Sequence, residues 1–163
     1  MTKIARFRFA GEDRLGAVRG DDYVDLNKAY AQALGSRGVV GAVLVAEATL
    51  PTDALRFFQN GEAALKAVSE AVAYVGSISD ADARRDGLLV AREFTKTLVP
   101  IPNPPKIICV ARNYGKHAEE AGLQVSEIPI LFARFAATQV ADGDPIVVPA
   151  VSDQVDWEAS WRS

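Results

Sequence analysis

Residues 100–122 read PIPNPPKIICVARNYGKHAEEAG, and this segment divides the chain into two parts. Its first six residues include four prolines, which lack the backbone donor that helices and sheet ladders need. We therefore expect an extended linker at 99–105 between an N-terminal domain at 1–98 and a second domain at 106–163. The continuous apolar run KIICVA predicts a strand buried on both faces. The residues after it predict a short helix ending at Gly122.

The N-terminal part begins with strand patterns. In IARFRF at residues 4–9, apolar and charged side chains alternate with the period of a half-buried strand. RLGAVRG at 14–20 and YVDLN at 23–27 predict two more strands, with turns at 11–13 and 20–22. A three-stranded meander is therefore expected.

Helical patterns follow the meander. One helix is expected at Lys28 to Leu34, and another begins near Pro51 and is stopped at Asn60-Gly61. A third ends at Gly76. Apolar side chains at helical spacing are expected to point inward from the last two helices, namely Leu55, Phe58, Leu65, Val68, Val72 and Val75. Residues 1–98 are therefore predicted to form a small α+β domain without a visible active site.

Composition restricts the classes of function. The chain has 163 residues, 49% of them hydrophobic, and a net charge of -3 with no basic block, so nucleic acid is not an expected partner. The longest apolar run, residues 39–46, is too short for a membrane helix. A single cysteine cannot form an internal disulfide, and the start MTKI lacks the apolar stretch of a signal peptide. A cytoplasmic location is expected.

The single histidine is the first candidate for chemistry. His117 follows the apolar strand, and Glu120 lies three residues later, on the same face of a helix. The carboxylate would then orient the imidazole as a general base. The alternative is a solvated face on which Glu119 and Glu120 are exposed and Lys116 pairs with Glu120.

Two weaker patterns are also present. Asp156 and Glu158 alternate around Trp157, so on a strand their carboxylates point the same way, as shared ligation of a hard cation requires. Two acids near a chain end are also commonly just solvated. Cys109 could pair with His117 as a nucleophile, but its apolar neighbours favour a buried, inert thiol.

Four segments in order, residues 98–122, PILFARF at 129–135, GDPIVVP at 143–149 and DWE at 156–158, resemble the fumarylacetoacetate hydrolase family of metal-dependent enzymes. The resemblance implies an α+β chain whose second domain is the start of a mixed β-sheet pseudo-barrel. It also implies a homodimer.

The resemblance further implies a chemistry and its residues. Family substrates are 2-oxo acids such as acylpyruvates, and Mg²⁺ or Mn²⁺ held by three carboxylates stabilises their enolates. A His and Glu pair then activates water to break a carbon–carbon bond. On this resemblance His117 and Glu120 are catalytic and Glu158 is a metal ligand. The residues that would contact the substrate are Asn113, Tyr114 and Arg134.

The chain departs from the family pattern near its end. Ser160 stands where a second metal carboxylate is expected, Arg134 replaces a common lysine and Phe135 a proline. We expect the chain to be truncated within the metal-binding motif, with too few carboxylates for more than slight catalysis. The apolar residues from Val147 onward would then lie uncovered.

We hypothesise that a single-base deletion after the codon of Glu158 produced this ending. In a coding sequence for E-G-E-L-A-V-V-I, loss of one base after the first glutamate codon yields EASWRS and a stop, as at residues 158–163. The hypothesis fails if resequencing finds no downstream frame that continues E-L-A-V-V.

Three functions are in competition. The first is a hydrolase of carbon–carbon bonds in 2-oxo acids. The second keeps the family's fold and metal but is an isomerase, decarboxylase or hydratase. The third is a non-catalytic protein that acts through its N-terminal domain by binding or assembly.

Overall fold

The computed structural model describes residues 2–111, 128–152 and 154. Its N-terminal part contains five strands and five α-helices, and a 3₁₀ turn at Arg92–Phe94 lies between the last two strands. In chain order they are β1 (Ile4–Phe9), β2 (Glu12–Arg19), β3 (Asp22–Asp25), α1 (Leu26–Ser36), α2 (Ala42–Thr49), α3 (Ala54–Gln59), α4 (Gly61–Gly76), α5 (Asp80–Arg85), β4 (Leu89–Ala91) and β5 (Lys96–Leu98).

These strands form one antiparallel sheet in the order β4-β3-β2-β1-β5. The predicted meander of three strands is confirmed as β1, β2 and β3. The sequence did not reveal β4 and β5, because each has three residues and pairs with a strand far away along the chain. The mixed α+β class is confirmed.

The first turn and the end of β3 differ from the prediction. The hairpin turn lies at Ala10–Gly11, where φ angles of 49° and 85° fit a type I′ turn, so β2 already begins at Glu12. The strand predicted over 23–27 ends at Asp25. Its carboxylate accepts a hydrogen bond from the Lys28 backbone N–H at 3.1 Å and caps α1.

The helices cover one face of the sheet. Leu15, Ala17 and Val24 on that face share the core with buried side chains of α1 and α4. The inward direction predicted for Leu55 and Phe58 is wrong, since both are exposed. In α3 the buried residues are instead Ala54 and Phe57.

In α4 the inward positions are only partly as predicted. Val68 and Val75 are buried and Val72 is half-buried, as expected, but Leu65 is exposed. The other buried positions are alanines, at 64, 67 and 71. Small side chains on this face let α1 and α4 approach closely. The prediction considered only large apolar residues and therefore missed these alanines.

Gly16→Ala is expected to lower the free energy of unfolding by about 1–3 kcal/mol. Gly16 faces the stacked rings of Phe7 and Tyr23, whose centroids are 4.7 Å apart. An added Cβ would lie 2.7 Å from Phe7 Cε1 and 3.0 Å from Tyr23 Cβ. Urea unfolding measures the loss. The matched control is Gly35→Ala in α1, where the Cβ meets nothing within 4 Å, and a similar loss there would contradict this account.

Two further strands, β6 (Ile107–Ala111) and β7 (Ile130–Arg134), pair antiparallel as a separate ribbon. A strand in KIICVA is confirmed, but its burial on both faces is not. Ile108 is 62% exposed and Val110 is exposed as well. In the described part of the chain β6 pairs with one strand, β7. The face of β6 that carries Ile108 and Val110 is exposed.

The Pro-rich residues 99–105 form neither helix nor strand, as predicted, whereas the domain boundaries remain a prediction. Asp142 and Gly143 form a turn, with Gly143 at φ 82°. Residues 144–149 have no regular structure. Within the described ranges, no helix has the length and apolar character to cross a membrane.

Candidate functional site

Most residues of the predicted site lie between the two strands of the ribbon along the chain. Ala111 at the end of β6 pairs with Ile130 at the start of β7, so the chain leaves and re-enters the ribbon at one end. The predicted helix and the site residues between these strands lie outside the described residues, and Glu158 does as well. They are Asn113, Tyr114, His117 and Glu120. Their roles stay predictions.

Arg134 lies at the opposite end of the ribbon. It is the last residue of β7, is exposed and pairs with Ile107. Its guanidinium carbon is 5.5 Å from the centroid of the Phe132 ring, on the same face of the strand. About 13 Å of strand separates Arg134 from Ile130. The described residues alone therefore do not bring Arg134 to the end that leads to His117, and its role in substrate binding stays a prediction.

Cys109 lies in the middle of β6, opposite Phe132. The prediction of a fully buried thiol is wrong, because the residue is half-buried. The partly open face of the ribbon explains this. Its pairing with His117 involves a residue outside the described ranges and stays untested.

An ion pair joins the second part of the chain to the first sheet. Lys96 Nζ on β5 lies 2.9 Å from Oδ1 of Asp144, which directly follows the turn at Asp142-Gly143. The hydrogen bond from Lys96 holds the pKa of the Asp144 carboxyl below its usual value. The contact was not predictable from local pattern, because it joins residues that are far apart in sequence.

Asp144→Asn is expected to destabilise the protein at neutral pH and to have a smaller effect in acid. A carboxyl with a lowered folded-state pKa contributes stability above its unfolded-state pKa of about 3.9 and loses it as the pH falls through the folded value. Thermal unfolding of the wild type and of Asp144→Asn across pH measures their difference in stability. In a Lys96→Gln background this difference in stability should disappear. If it persists there, the ion pair with Lys96 is not what makes Asp144 stabilising.

The metal site predicted from the family resemblance can be compared only with part of the chain. Among residues 2–111, 128–152 and 154, no three His, Cys, Asp or Glu side chains come together in a metal-binding group. Asp156 and Glu158 lie outside that part. The described residues therefore do not by themselves form a site for Mg²⁺ or Mn²⁺.

A shallow cavity of about 430 Å³ lies beside the first sheet and α4. No pattern in the sequence predicted this cavity. Lys3, Val18, Arg19 and Val72 are among its lining residues, and Arg19 is already paired with Asp80 at 2.8 Å. The lining residues in the described part of the chain include no carboxylate or histidine, so this cavity offers no general base.

Comparison with known proteins identifies the family of the second part. Residues 106–160 match the family described as fumarylacetoacetate (FAA) hydrolase C-terminal. This range includes all the site residues predicted from the resemblance.

Curated relatives support the same family over a longer range. The chain is 33% identical over 124 residues to "Oxaloacetate tautomerase FAHD2A, mitochondrial" of Bos taurus, covering 76% of this chain and 36% of that protein. It is 36% identical over 111 residues to the Xenopus laevis "Oxaloacetate tautomerase fahd2, mitochondrial", with 68% and 31% covered. For the Homo sapiens FAHD2A protein the identity is 32% over 124 residues, with 76% and 36% covered.

The chain spans about a third of the length of these relatives. The alignments of 124 residues are longer than the matched family segment, so the similarity also includes residues outside it. The sequence resemblance was based on four segments in order, at 98–122, 129–135, 143–149 and 156–158. The comparisons confirm that this resemblance comes from relationship to the family. With part of the C-terminal domain at residues 106–160, the chain belongs to the fumarylacetoacetate hydrolase family.

Proposed function

We propose that this chain is part of an enzyme that interconverts the enol and keto forms of oxaloacetate or a similar 2-oxo acid. The observation that carries the proposal is the similarity over 124 residues to relatives named oxaloacetate tautomerases. That similarity covers three quarters of the chain, rather than a short motif. It favours the isomerase among the alternatives that the sequence left open.

In this proposal His117 and Glu120 move the proton. Tautomerisation transfers a proton between a carbon next to the 2-oxo group and the oxygen of the enol, and no carbon–carbon bond is broken. In one direction His117 takes the proton from the carbon and delivers it to the enolate oxygen, and in the other direction it moves the proton from that oxygen to the carbon, while Glu120 orients the imidazole and favours its charged form. The substrate carboxylates are bound by Arg134, whose guanidinium fits a carboxylate with two donors, and by Asn113 and Tyr114.

The metal is the other element of the proposal. When bound, Mg²⁺ or Mn²⁺ would polarise the 2-oxo group and stabilise negative charge on its oxygen. Glu158 is the ligand that the sequence proposes, and Ser160 occupies the position of a second carboxylate. The proton transfers are assigned to His117 and Glu120, whose side chains can accept and release protons.

Hydrolysis of a carbon–carbon bond in an acylpyruvate is the second candidate. Its support is the family match itself, since the matched domain is described as a hydrolase domain. The same residues would serve, with His117 activating a water molecule instead of taking a proton from carbon. Decarboxylation, hydration and a non-catalytic binding role of residues 1–98 are the remaining alternatives.

Two expectations about the cellular setting remain proposals. Family membership favours a homodimer that takes a small-molecule substrate. The sequence favours a cytoplasmic location, while the three relatives carry "mitochondrial" in their names. Mitochondrial residence is therefore the alternative that a localisation experiment would distinguish.

The experiment follows the decay of enol-oxaloacetate by ultraviolet absorbance, with the purified chain and Mg²⁺. We expect the wild-type chain to stay near the spontaneous rate, and Ser160→Glu to give a modest Mg²⁺-dependent increase, because it supplies the second of the three carboxylates that the family resemblance implies. His117→Ala in that background should return the rate to the spontaneous one, since a general base contributes about 10²–10⁴-fold.

Matched variants test whether the reaction requires these particular side chains or only a charge nearby. Glu120→Ala should abolish the gain and the neighbouring Glu119→Ala should not, while Ser160→Gln should give no gain. Acylpyruvate cleavage by Ser160→Glu without tautomerisation would replace the first candidate by the second. A folded Ser160→Glu protein with neither Mg²⁺-dependent reaction would contradict both.

A further inference from the structure

The cavity beside the first sheet has an apolar inner wall. Ala17 of β2 and Val24 of β3 line it, and each is 1% exposed and belongs to the hydrophobic core. Val72 of α4 also lines the cavity and packs against the same core. Because the core holds these side chains in place, the wall is preformed, and a ligand would not have to order it on binding.

The mouth of the cavity carries basic side chains. Lys3 and Arg19 line it together with Thr2, and all three residues are exposed. The Val18 N–H donates to the Lys3 carbonyl oxygen at 2.9 Å, which fixes the Lys3 backbone beside β2. The two cations therefore stand at the open side of an apolar cavity.

One of these two cations has no counter-ion. Arg19 Nη2 lies 2.8 Å from Asp80 Oδ1, and this is the bond that the Arg19 guanidinium makes to the described residues. Lys3 forms no ion pair within the part of the chain that the structure describes. The mouth therefore keeps one uncompensated positive charge, and the remaining donors of Arg19 are free to serve the same anion.

These features fit a small carboxylate with an apolar tail. The volume of about 430 Å³ lies within the roughly 300–1,000 Å³ of small-molecule sites. A carboxylate would match the charge of Lys3, while a chain of a few carbons would cover the apolar wall. A dicarboxylate fits less well, because its second charge would lie against that wall without a partner. The described lining residues include no carboxylate or histidine, so the ligand would be bound without being changed.

We propose that this cavity is a second, non-catalytic site that binds a monocarboxylate with a short aliphatic chain. The carboxylate pairs with Lys3 and accepts a hydrogen bond from Arg19, and the chain lies against Val72 and the inner wall. The proposal does not depend on the reaction proposed above, because no lining residue belongs to the predicted catalytic or metal set. It gives the N-terminal part of the chain a binding role.

Titration of the purified full chain with hexanoate tests the proposal. The backbone amide signals are followed by NMR, with EDTA present to remove divalent metal ions. We expect the amides of Lys3, Val18 and Val72 to shift, with a dissociation constant of about 1 mM. Hexanamide has the same chain without the charge, and it should bind at least tenfold more weakly.

Variants at the mouth and the wall test each half of the ligand. Lys3→Gln should raise the dissociation constant at least fivefold, because it removes the unpaired cation. Lys66→Gln is the matched control, since Lys66 is an exposed lysine of α4 that does not line the cavity. Val72→Thr keeps the shape of the side chain but adds a hydroxyl to the apolar wall, and it should also weaken binding. Circular dichroism verifies that each variant is folded.

His117→Ala separates this site from the predicted catalytic one and should leave hexanoate binding unchanged. If it abolishes binding while Lys3→Gln has no effect, hexanoate occupies the catalytic site and the proposal is overturned. The same conclusion follows if no signal shifts up to about 50 mM hexanoate. Equal binding of hexanamide, or equal effects of Lys3→Gln and Lys66→Gln, would likewise overturn it, since the charge of Lys3 would then not be recognised.

Discussion

Asp25→Ala is expected to lower the free energy of unfolding by about 3–5 kcal/mol, because it removes the buried partner of Arg14 and leaves that buried arginine with only the exposed Glu12 as an ion-pair partner among the described residues. Asp25 is 1% exposed and Arg14 is 8% exposed. Arg14 Nη2 donates to Asp25 Oδ1 at 3.1 Å, and Arg14 Nε lies against Asp25 Oδ2. The same carboxylate caps α1. Urea unfolding measures the loss, which is a large fraction of an ordinary domain's stability.

A second aspartate provides the matched control. Asp53 caps α3 by accepting from the Arg56 backbone N–H at 2.8 Å, in an exposed position without a buried partner. Asp53→Ala should therefore cost about 1 kcal/mol, the ordinary value of a helix cap. If the two losses are equal, capping alone explains the role of Asp25.

Removing both charges tests the cause directly. Arg14→Met with Asp25→Asn leaves no buried charge, and asparagine still caps a helix well. This double variant should be more stable than Asp25→Ala, since a buried pair replaced by neutral side chains is often nearly neutral in energy. A double variant as unstable as Asp25→Ala would show that the packing of Arg14, and not its charge, matters.

The buried pair also shows what the sequence could not supply. Alternation of apolar and charged residues predicted β1, and the turn residues beside two short segments predicted β2 and β3, because these three strands follow one another along the chain. The prediction placed Asp25 in the middle of a strand over 23–27, whereas the residue is the last of β3 and caps α1. Its pairing with Arg14 depends on the register of β2 against β3, in which Gly16 lies opposite Asp25. Register is a non-local property.

The candidate site was predictable to a different extent. The family followed from the order of its motifs, and the comparisons confirm it. The continuous apolar run predicted β6 but not its exposure, because burial depends on what packs against a strand. The roles of His117 and Glu120 rest on motif positions, and they stay predictions until the variants proposed above are measured.

Phe57→Ala is expected to cost about 3–5 kcal/mol, the usual loss for a fully buried aromatic ring. Phe57 is 4% exposed and belongs to the main core, whereas its neighbour Phe58 is 57% exposed. Phe58→Ala should cost no more than about 1.5 kcal/mol. Urea unfolding of both variants, at a concentration where the chain is monomeric, measures the difference.

The pair is informative because the two rings touch. Their centroids are 5.3 Å apart in an edge-to-face arrangement, and either substitution removes that contact. A difference between the variants therefore reports the burial of Phe57. The sequence favoured Phe58, because it lies three residues after Leu55, whereas Phe57 lies three residues after the smaller Ala54. In a helix of six residues, that spacing does not determine which side faces the core. Equal losses in the two variants would restore the prediction that Phe58 points inward.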